Sequence, residues 1–330
     1  MSKNRTLVLF LRNRYEGKCN PYSRLVDKFG VVGSCGYGVS TLNKGACVLE
    51  QAIAKRHLHL CGQGVLLVNT DLHGNGDDFR QMRQLFYQER ERGLPVYWVL
   101  LGDLVHGPDP LTQKEMPELY GYADESAWIV QEVCSLLERF PDEVFFVLGN
   151  HDYAHIGGRA TRKFYPDEAA HLESTMSSHA IQKMHDLFQN AFLGVTTTCG
   201  VMLAHGSPDG ALKALHDLDN IPLPCPENQM YFQEILSGFL ESYGQRGEVT
   251  SELLARLSSW EKLSGTPLRW LIHGHDKDES GWFTEGGNQL CPVLFGAPNK
   301  DKRYLRIELE KYNHSLDELL DEDTLRFLHR

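Results

Sequence analysis

Five short apolar segments of this chain end abruptly in polar residues of the types that bind metals, and this repeated pattern constrains the fold more than any other feature. Each segment has the length and composition of a buried β-strand. Polar groups at the end of a buried strand cost free energy unless a ligand or a protein group satisfies them. We therefore expect one edge of a sheet to assemble a metal site. The segments are residues 65–68 before Asp71-Leu72-His73, 97–101 before Gly102-Asp103, 144–148 before Gly149-Asn150-His151-Asp152, 201–204 before His205, and 270–272 before His273-Gly274-His275.

These residue types favour divalent ions bound through nitrogen and oxygen. Asp71 and His73 are one residue apart, so on an extended strand end both side chains point the same way. The Asp103 carboxylate can bridge two ions, which then lie about 3.5–4 Å apart and hold between them a hydroxide that attacks phosphorus in line. Ligands without thiolate suit Mn, Fe or Zn better than copper. Each motif alone is commonplace, and only their shared placement at strand ends indicates a function.

Composition excludes several other classes of protein. The 330 residues are 42% hydrophobic and 23% charged, as in an ordinary globular protein, and their formal net charge is −11. Binding to a nucleic-acid backbone needs clustered Lys and Arg, so we do not expect it. No apolar run approaches the roughly 20 residues of a membrane helix, and we expect no membrane partner. The eight cysteines form no C-x-x-C pair, which favours reduced thiols and a cytoplasmic location.

The chain divides into three parts by pattern. Residues 1–62 are expected to form an N-terminal extension packed on the main domain, which spans residues 63–312 and alternates strands with helices. Residues 313–330 are expected to form a short, acidic, amphipathic helix.

The ordered set of strand-end motifs resembles the calcineurin-like metallophosphoesterase superfamily, and within it the phosphoprotein phosphatase branch of serine/threonine phosphatases. Residues 294–299, Leu-Phe-Gly-Ala-Pro-Asn, are similar to that branch's Phe-Ser-Ala-Pro-Asn loop, which lies beside the metals. The resemblance covers about residues 64 to 310. It implies an α/β four-layer fold in which two packed mixed β-sheets are flanked by helices.

The resemblance also implies a role for each motif residue. Asp71, His73 and Asp103 would bind one divalent ion, and Asp103, Asn150, His205 and His275 the other. Mn is the expected metal, with Fe, Zn or Mg as alternatives. His151 would protonate the leaving alkoxide, and Asp152 replaces the usual glutamate. The expected catalytic residues are therefore His151, Asp103 and Asp152. A rival register of the last motif would make both His273 and His275 ligands.

The chain also departs from the family pattern. His106 stands where the family has the aspartate that orients the catalytic histidine, and the two arginines that grip phosphate are missing. Arg159, Arg162 and Lys163 are candidate replacements, although a solvated basic face is an equal alternative. His155 and His185 have no partner spacing that would indicate a site.

The expected function is hydrolysis of a phosphate ester, on a phosphorylated protein or a small phosphoester. Phosphoserine or phosphothreonine in proteins is the first expectation, because the resemblance includes the Phe295 loop. A nucleotide or dinucleoside polyphosphate hydrolase is the enzymatic alternative. A non-catalytic metal-binding scaffold is favoured by the change at His106 and opposed by the complete ligand set.

Overall fold

The computed structural model describes residues 55–260, 266–311 and 315–330. The predicted extension over residues 1–62 lies mostly outside these ranges, and the division at residue 62 stays a prediction. The strands of the described residues are β1 His57–Leu60, β2 Val65–Asn69, β3 Val96–Leu101, β4 Val144–Val147, β5 Gly194–Thr197, β6 Val201–Ala204, β7 Trp270–His273, β8 Trp282–Phe283, β9 Gln289–Pro292, β10 Arg303–Glu308 and β11 Leu325–Phe327.

The helices connect these strands and cover the sheets. Helix α1 begins after Asn75, whose side chain accepts hydrogen bonds from the amides of Asp77 and Asp78 and so caps the first turn. The α-helices of the described residues are α1 Gly76–Glu91, α2 Pro110–Glu115, α3 Pro117–Tyr120, α4 Ser126–Arg139, α5 Asn150–Tyr153, α6 Glu168–Ser174, α7 Ser178–Gln189, α8 Met230–Glu241, α9 Gly247–Trp260 and α10 Leu316–Leu320, with 3₁₀ turns at Ala154–Ile156 and Leu215–Asn220.

Two mixed sheets form the centre of the fold. The five-stranded sheet has the order β11-β10-β2-β3-β4, with β2, β3 and β4 parallel and β10 antiparallel to both neighbours. The six-stranded sheet has the order β1-β5-β6-β7-β9-β8, with β6, β7 and β9 parallel. β5 and β6 form a hairpin, in which Gly194 pairs with Ala204 in antiparallel register. The carboxyl ends of β2, β3 and β4 therefore share one edge, as do those of β6 and β7.

The strands alternate between two hydrophobic layers. Val65 and Leu67 of β2 belong to a core cluster with α1 and α4, while Leu66 and Val68 belong to a second cluster. Successive side chains of a strand point to opposite faces, so each sheet strand feeds both layers. The second cluster also contains residues of the larger sheet and thus lies between the sheets: Val195, Val201, Leu203, Trp270, Ile272 and Leu290. This arrangement confirms the predicted four-layer fold.

The C-terminal segment differs from the expected helix. Within residues 315–330, the part of it that the structure describes, only Leu316–Leu320 is helical, and the chain then returns as β11, which pairs antiparallel with β10. The Asp78 carboxylate at the start of α1 holds this segment, because its Oδ1 lies 2.7 Å from His329 Nε2 and its Oδ2 2.7 Å from Lys302 Nζ. The prediction of one helix over residues 313–330 is therefore wrong in its second half.

None of the helices in the described ranges combines the length and the apolar character that crossing a membrane requires.

Candidate metal centre

The ends of five strands bring the predicted ligands together. Asp71 follows β2, Asp103 follows β3, Asn150 opens α5 after β4, and His205 and His275 follow β6 and β7. His205 connects the two sheets, since its Nδ1 donates to the Leu101 carbonyl at 2.8 Å. That bond leaves Nε2 of a neutral His205 as the atom that faces Asp103 and Asn150.

Backbone strain is concentrated at this edge. Among the described residues other than glycine, those with positive φ are Asp71, His73, Asp103, His106 and His275, at +51°, +43°, +52°, +73° and +69°. The left-handed region is uncommon for residues with side chains, and such conformations persist where the surrounding structure requires them. Four of the five are predicted ligands, and the fifth is the position that departs from the family. The strain therefore marks the site independently of the sequence motifs.

Gly149 lets the β3 and β4 ends approach closely. A Cβ atom at this position would collide with the Asp103 carboxylate and with the Asp103 backbone nitrogen. The approach allows the His151 amide to donate to Asp103 Oδ1 at 2.9 Å. Asp103 is thus held by one oxygen, and the other is turned towards the imidazoles.

The first predicted ligand group is Asp71, His73 and Asp103. His73 Nε2 lies 3.8 Å from Asp71 Oδ1 and 3.5 Å from Asp103 Oδ2. His73 Nδ1 faces the Val105 and His106 carbonyls at 3.2 Å each, so the neutral ring donates from Nδ1 and keeps its Nε2 lone pair for a ligand. His73 Nε2 therefore lies within 4 Å of both carboxylates. Around His73, the three residues whose ligand atoms all lie within 4.8 Å of one another are His73, Asp103 and His151, and they do not include Asp71.

The second group is Asp103, Asn150, His205 and His275. The Asn150 amide oxygen lies 3.1 Å from His205 Nε2, 3.1 Å from His275 Nδ1 and 3.2 Å from Asp103 Oδ2. The amide oxygen and the atoms around it can all act as acceptors. Their close approach therefore requires either that the Asn150 amide be rotated, with its nitrogen pointing inward, or that a cation lie between these atoms. Two ligand atoms about 2.1 Å from one ion at right angles are about 3 Å apart, so the observed spacing fits a metal ion.

The charge of the site also fits cations. Asp71 and Asp103 are 5% and 1% exposed, and no Lys or Arg of the described residues forms an ion pair with either carboxylate. Burial lowers the pKa of His205, but the Asp103 and Asp71 carboxylates outweigh burial and raise it to about 10. The pocket thus favours positive charge, as a divalent ion would supply.

The two registers of the last motif differ in the structure. His275 lies in the cluster with Asp103 and His205, in which one ligand atom from each residue lies within 4.8 Å of the others. His273 is the last residue of β7, fully buried, with its Nδ1 facing the Gly274 carbonyl and its Nε2 without a hydrogen-bond partner. The structure therefore brings His275, and not His273, to the other predicted ligands.

Asp152 does not face the cavity. Its Oδ2 accepts from the Asp103 and Gly149 amides at 2.8 and 3.0 Å, and its Oδ1 accepts from the Leu104 amide at 3.0 Å. The side chain is fully buried. These contacts make Asp152 a brace between the two strand ends and give no support to the catalytic role expected from the sequence.

His151 lies behind the first ligand group. Its ring is 4.6 Å from that of His73, edge to face, and its Nδ1 is 2.9 Å from His106 Nδ1. The substituted position 106 thus still contacts the predicted catalytic histidine. Burial, ahead of any charge effect, lowers the pKa of His151.

A cavity of about 810 Å³ opens over the ligands, and the three basic residues proposed as replacements all line it. Lys277, which follows His275 by two residues in the sequence, also lines this cavity. The ammonium groups of Lys163 and Lys277 lie 3.6 and 4.9 Å from the centre of the Phe295 ring. Lys163 is nevertheless an exposed residue, as are Arg159 and Arg162, so only its contact with the Phe295 ring distinguishes it from a solvated basic face.

Sequence reasoning missed a second polar cluster beside the cavity. His155, Glu173 and His185 meet through bonds of 2.8 Å to one glutamate oxygen, and His155 also contacts His106. Glu168 is buried near His151. These residues come from α6, α7 and the turn after α5, and their spacing in the sequence does not predict that they are in contact.

The comparisons with known proteins agree with this fold. The model of the calcineurin-like phosphoesterase family matches residues 65–278, more than half of the chain, and the chain belongs to that family. The family implies a dinuclear centre of divalent ions, and the histidine and aspartate clusters described above fit such a site. No curated protein matches the sequence significantly.

Solved structures with a similar fold are distant in sequence. A protein serine/threonine phosphatase from Saccharomyces cerevisiae, described as similar to human phosphatase PP5, is 16% identical with a TM-score of 0.50 over 80% of this chain and 86% of that one. A cold-active protein-tyrosine phosphatase of a psychrophilic Shewanella species is 11% identical with a TM-score of 0.42 over 77% of each chain. A metallophosphoesterase from Sphaerobacter thermophilus is 14% identical with a TM-score of 0.38 over 75% and 84%. The yeast protein supports the fold, and none of the three indicates the substrate.

Proposed function

We propose that this chain is a metal-dependent phosphomonoesterase acting on phosphoserine or phosphothreonine in proteins, with Mn as the resident metal. The observation that carries the proposal is the convergence of the predicted ligands from five strand ends at one cavity, with basic side chains opposite them. The Phe295 loop supports the serine/threonine branch, because the Phe295 ring packs 4.0 Å from the ring of His73.

In this proposal different residues around the cavity have different roles in phosphate-ester hydrolysis. Divalent ions held by the ligands would supply the hydroxide nucleophile and neutralise charge on the phosphoryl oxygens. Lys163 and Lys277 place two ammonium groups over Phe295, where an anionic phosphoryl group would relieve their mutual repulsion. His151 lies beside the first ligand group and can hold a proton at Nε2 for the leaving alkoxide.

A second candidate is a nucleotide or dinucleoside polyphosphate hydrolase. The observation that favours it is the number of cations in the cavity, since Arg159, Arg162, Lys163 and Lys277 together exceed what one phosphate monoester needs. A chain of phosphates would engage more of them.

One experiment separates these functions. Purified protein is analysed for bound metal and then assayed with phosphoserine and phosphothreonine peptides, diadenosine polyphosphates and an aryl phosphate. We expect two divalent ions per chain and preferred turnover of the phosphopeptides. Preferred turnover of the dinucleotides would replace the first proposal with the second. Bound metal without turnover of any substrate would instead indicate a non-catalytic scaffold.

We also propose a cytoplasmic location. It is supported by the reduced thiols of Cys134, Cys199, Cys225 and Cys291. Fractionation of cells that produce the protein tests this, and recovery outside the cytoplasmic fraction would contradict it.

A further inference from the structure

A continuous series of side chains leads away from His151, on the side opposite the predicted ligands. His151 Nδ1 lies 2.9 Å from His106 Nδ1, and His106 Nε2 lies 2.9 Å from His155 Nε2. His155 Nδ1 then lies 2.8 Å from Glu173 Oε1. The three imidazoles are buried, at 7%, 3% and 7% exposed in this order, and the glutamate is half-buried. Each distance is that of a hydrogen bond.

The glutamate sets the direction of every bond in the series. A carboxylate only accepts, so His155 donates from Nδ1, and its Nε2 must accept when the ring is neutral. His106 then donates from Nε2 and accepts at Nδ1. His151 in turn donates from Nδ1, which leaves its Nε2 as the free atom. The outcome is the tautomer that an aspartate at position 106 would select directly.

The direction of the series requires a neutral His155 ring beside an anionic Glu173. Burial lowers the pKa of His155, although Glu173 opposes it. At Glu173, burial raises the pKa, but the hydrogen bonds from His155 and His185 outweigh burial and lower it. His151 keeps Nδ1 as the donor to His106 whether or not its Nε2 also carries a proton for the leaving group.

We propose that Glu173 is a positioning residue for His151, acting through His155 and His106, and that it performs the orienting task of the aspartate absent from position 106. The proposal deepens the proposed function, because it matters for activity only if His151 assists a leaving alkoxide. It assigns a task to His155 and Glu173, which lie outside every recognised motif, and to His106, which stands at a changed motif position. In this proposal His106 connects His155 to His151, and its presence does not mean that the orienting interaction has been lost.

Glu168 is the rival carboxylate. Its Oε2 is buried without a hydrogen-bond partner and lies 3.5 Å from His151 Nδ1 and 3.8 Å from His106 Nδ1. Its Oε1 accepts from the Phe164 amide at 3.0 Å. Both separations from the histidines exceed a normal N–H···O hydrogen bond, so Glu168 adds negative charge near the rings without fixing which nitrogen bears the proton. Thr161 Oγ1, 3.2 Å from His106 Nδ1, is a further donor to that nitrogen.

His185 supplies a matched control. Its Nε2 lies 2.8 Å from the same oxygen of Glu173, but its only role in the series is as a second donor to that carboxylate. Replacing it with alanine perturbs the same helix pair without interrupting the path from Glu173 to His151. Glu173→Gln keeps the shape of the side chain, but an amide can accept or donate, so the direction of the series is no longer set.

The first measurement is the tautomer of His151, read from ¹⁵N-labelled histidine by NMR in the metal-free protein. We expect the proton on Nδ1 in the wild type, in His185→Ala and in Glu173→Asp, and a mixture of tautomers in Glu173→Gln. An unchanged His151 tautomer in Glu173→Gln would overturn the proposal. The same shift in Glu168→Gln, with none in Glu173→Gln, would assign the task to Glu168. Because this readout needs no metal or substrate, it decides the proposal even if the protein hydrolyses no phosphoester.

The second measurement compares substrates. Acid assistance is typically worth about 10²- to 10⁴-fold, and an aryl phosphate hardly needs it. We expect kcat of Glu173→Gln to fall about tenfold or more on a phosphoserine peptide and about twofold or less on an aryl phosphate, with His185→Ala near the wild type on both. Equal losses on both substrates would indicate a structural role and contradict the proposal. A wild type that hydrolyses neither substrate would refute the proposed function alone.

Discussion

Asp103→Asn tests the dinuclear centre, because one oxygen of this side chain serves both predicted ligand groups. Asp103 Oδ2 lies 3.5 Å from His73 Nε2, 3.4 Å from His205 Nε2 and 3.2 Å from the Asn150 amide oxygen. Asp103 Oδ1 meanwhile accepts from the His151 amide at 2.9 Å. An asparagine cannot meet both demands. If its oxygen takes the central place, its amino group faces the His151 N–H. If the oxygen stays on His151, the amino group points at the ions.

The magnitude follows from these two alternatives. Leaving the buried His151 N–H unpaired costs about 1–3 kcal/mol. At 1.4 kcal/mol per tenfold, this alone weakens metal affinity by about 5- to 150-fold, before the lost negative charge is counted. We expect metal analysis after desalting to fall from two ions per chain to one or none, and turnover of an aryl phosphate to be lost. Asp109→Asn, which changes the N-cap of α2, should retain both the two ions and the turnover. Two tightly bound ions with near wild-type turnover in Asp103→Asn would refute the reasoning.

Three further predictions concern other parts of the molecule. His275→Ala should lose one ion per chain by metal analysis, whereas His273→Ala should keep both; equal loss would restore the rival register. Lys163→Met should raise KM for a phosphopeptide about tenfold or more, since a hydrogen bond to a charged group is worth about 1.5–3 kcal/mol; an unchanged KM would place phosphate elsewhere. Lys302→Met should lower the free energy of unfolding by about 3 kcal/mol in urea titrations, because it removes the buried ammonium partner of the Asp78 carboxylate and leaves only His329. The exposed neighbour variant Lys300→Met should show little change, and equal effects would contradict a special role for the buried pair.

The ligand cluster could be predicted from sequence because its geometry depends on strand ends. The end of a buried apolar segment indicates where a strand ends, and parallel strands of one sheet have their carboxyl ends at the same edge. Asp71 and Asp103 needed only that rule to be placed near one another, whereas His205 follows a strand of the other sheet and reaches them through the packing of the two sheets. The left-handed backbone at Asp71 and Asp103 could not be foreseen, since an aspartate tolerates that conformation without requiring it.

The parts that sequence reasoning missed depend on contacts between distant elements. His155 and Glu173 lie 18 residues apart and meet only because α6 folds back beside the turn after α5. At the C-terminus, the three residues of β11 are too short to show the alternation of a strand, and the acidic helix before them suggested a longer helix. Asp152 was assigned to catalysis by analogy with its position, and only its bonds to three backbone amides indicate that it braces the loops.

The departures from the family pattern are connected through one segment of the chain. Residues 157–173 follow the Gly-Asn-His motif directly and supply both Lys163, whose ammonium lies over Phe295, and Glu173, which ends the series behind His151. The same stretch contributes Thr161 and Glu168, which face His106. A change at position 106 alone would leave the predicted catalytic imidazole without an orienting partner, and loss of the arginines alone would leave the proposed phosphate substrate without cations. One neighbouring segment therefore provides candidates for both tasks. Its residues can compensate for the substitutions in the motifs, so the altered motifs are compatible with an active enzyme.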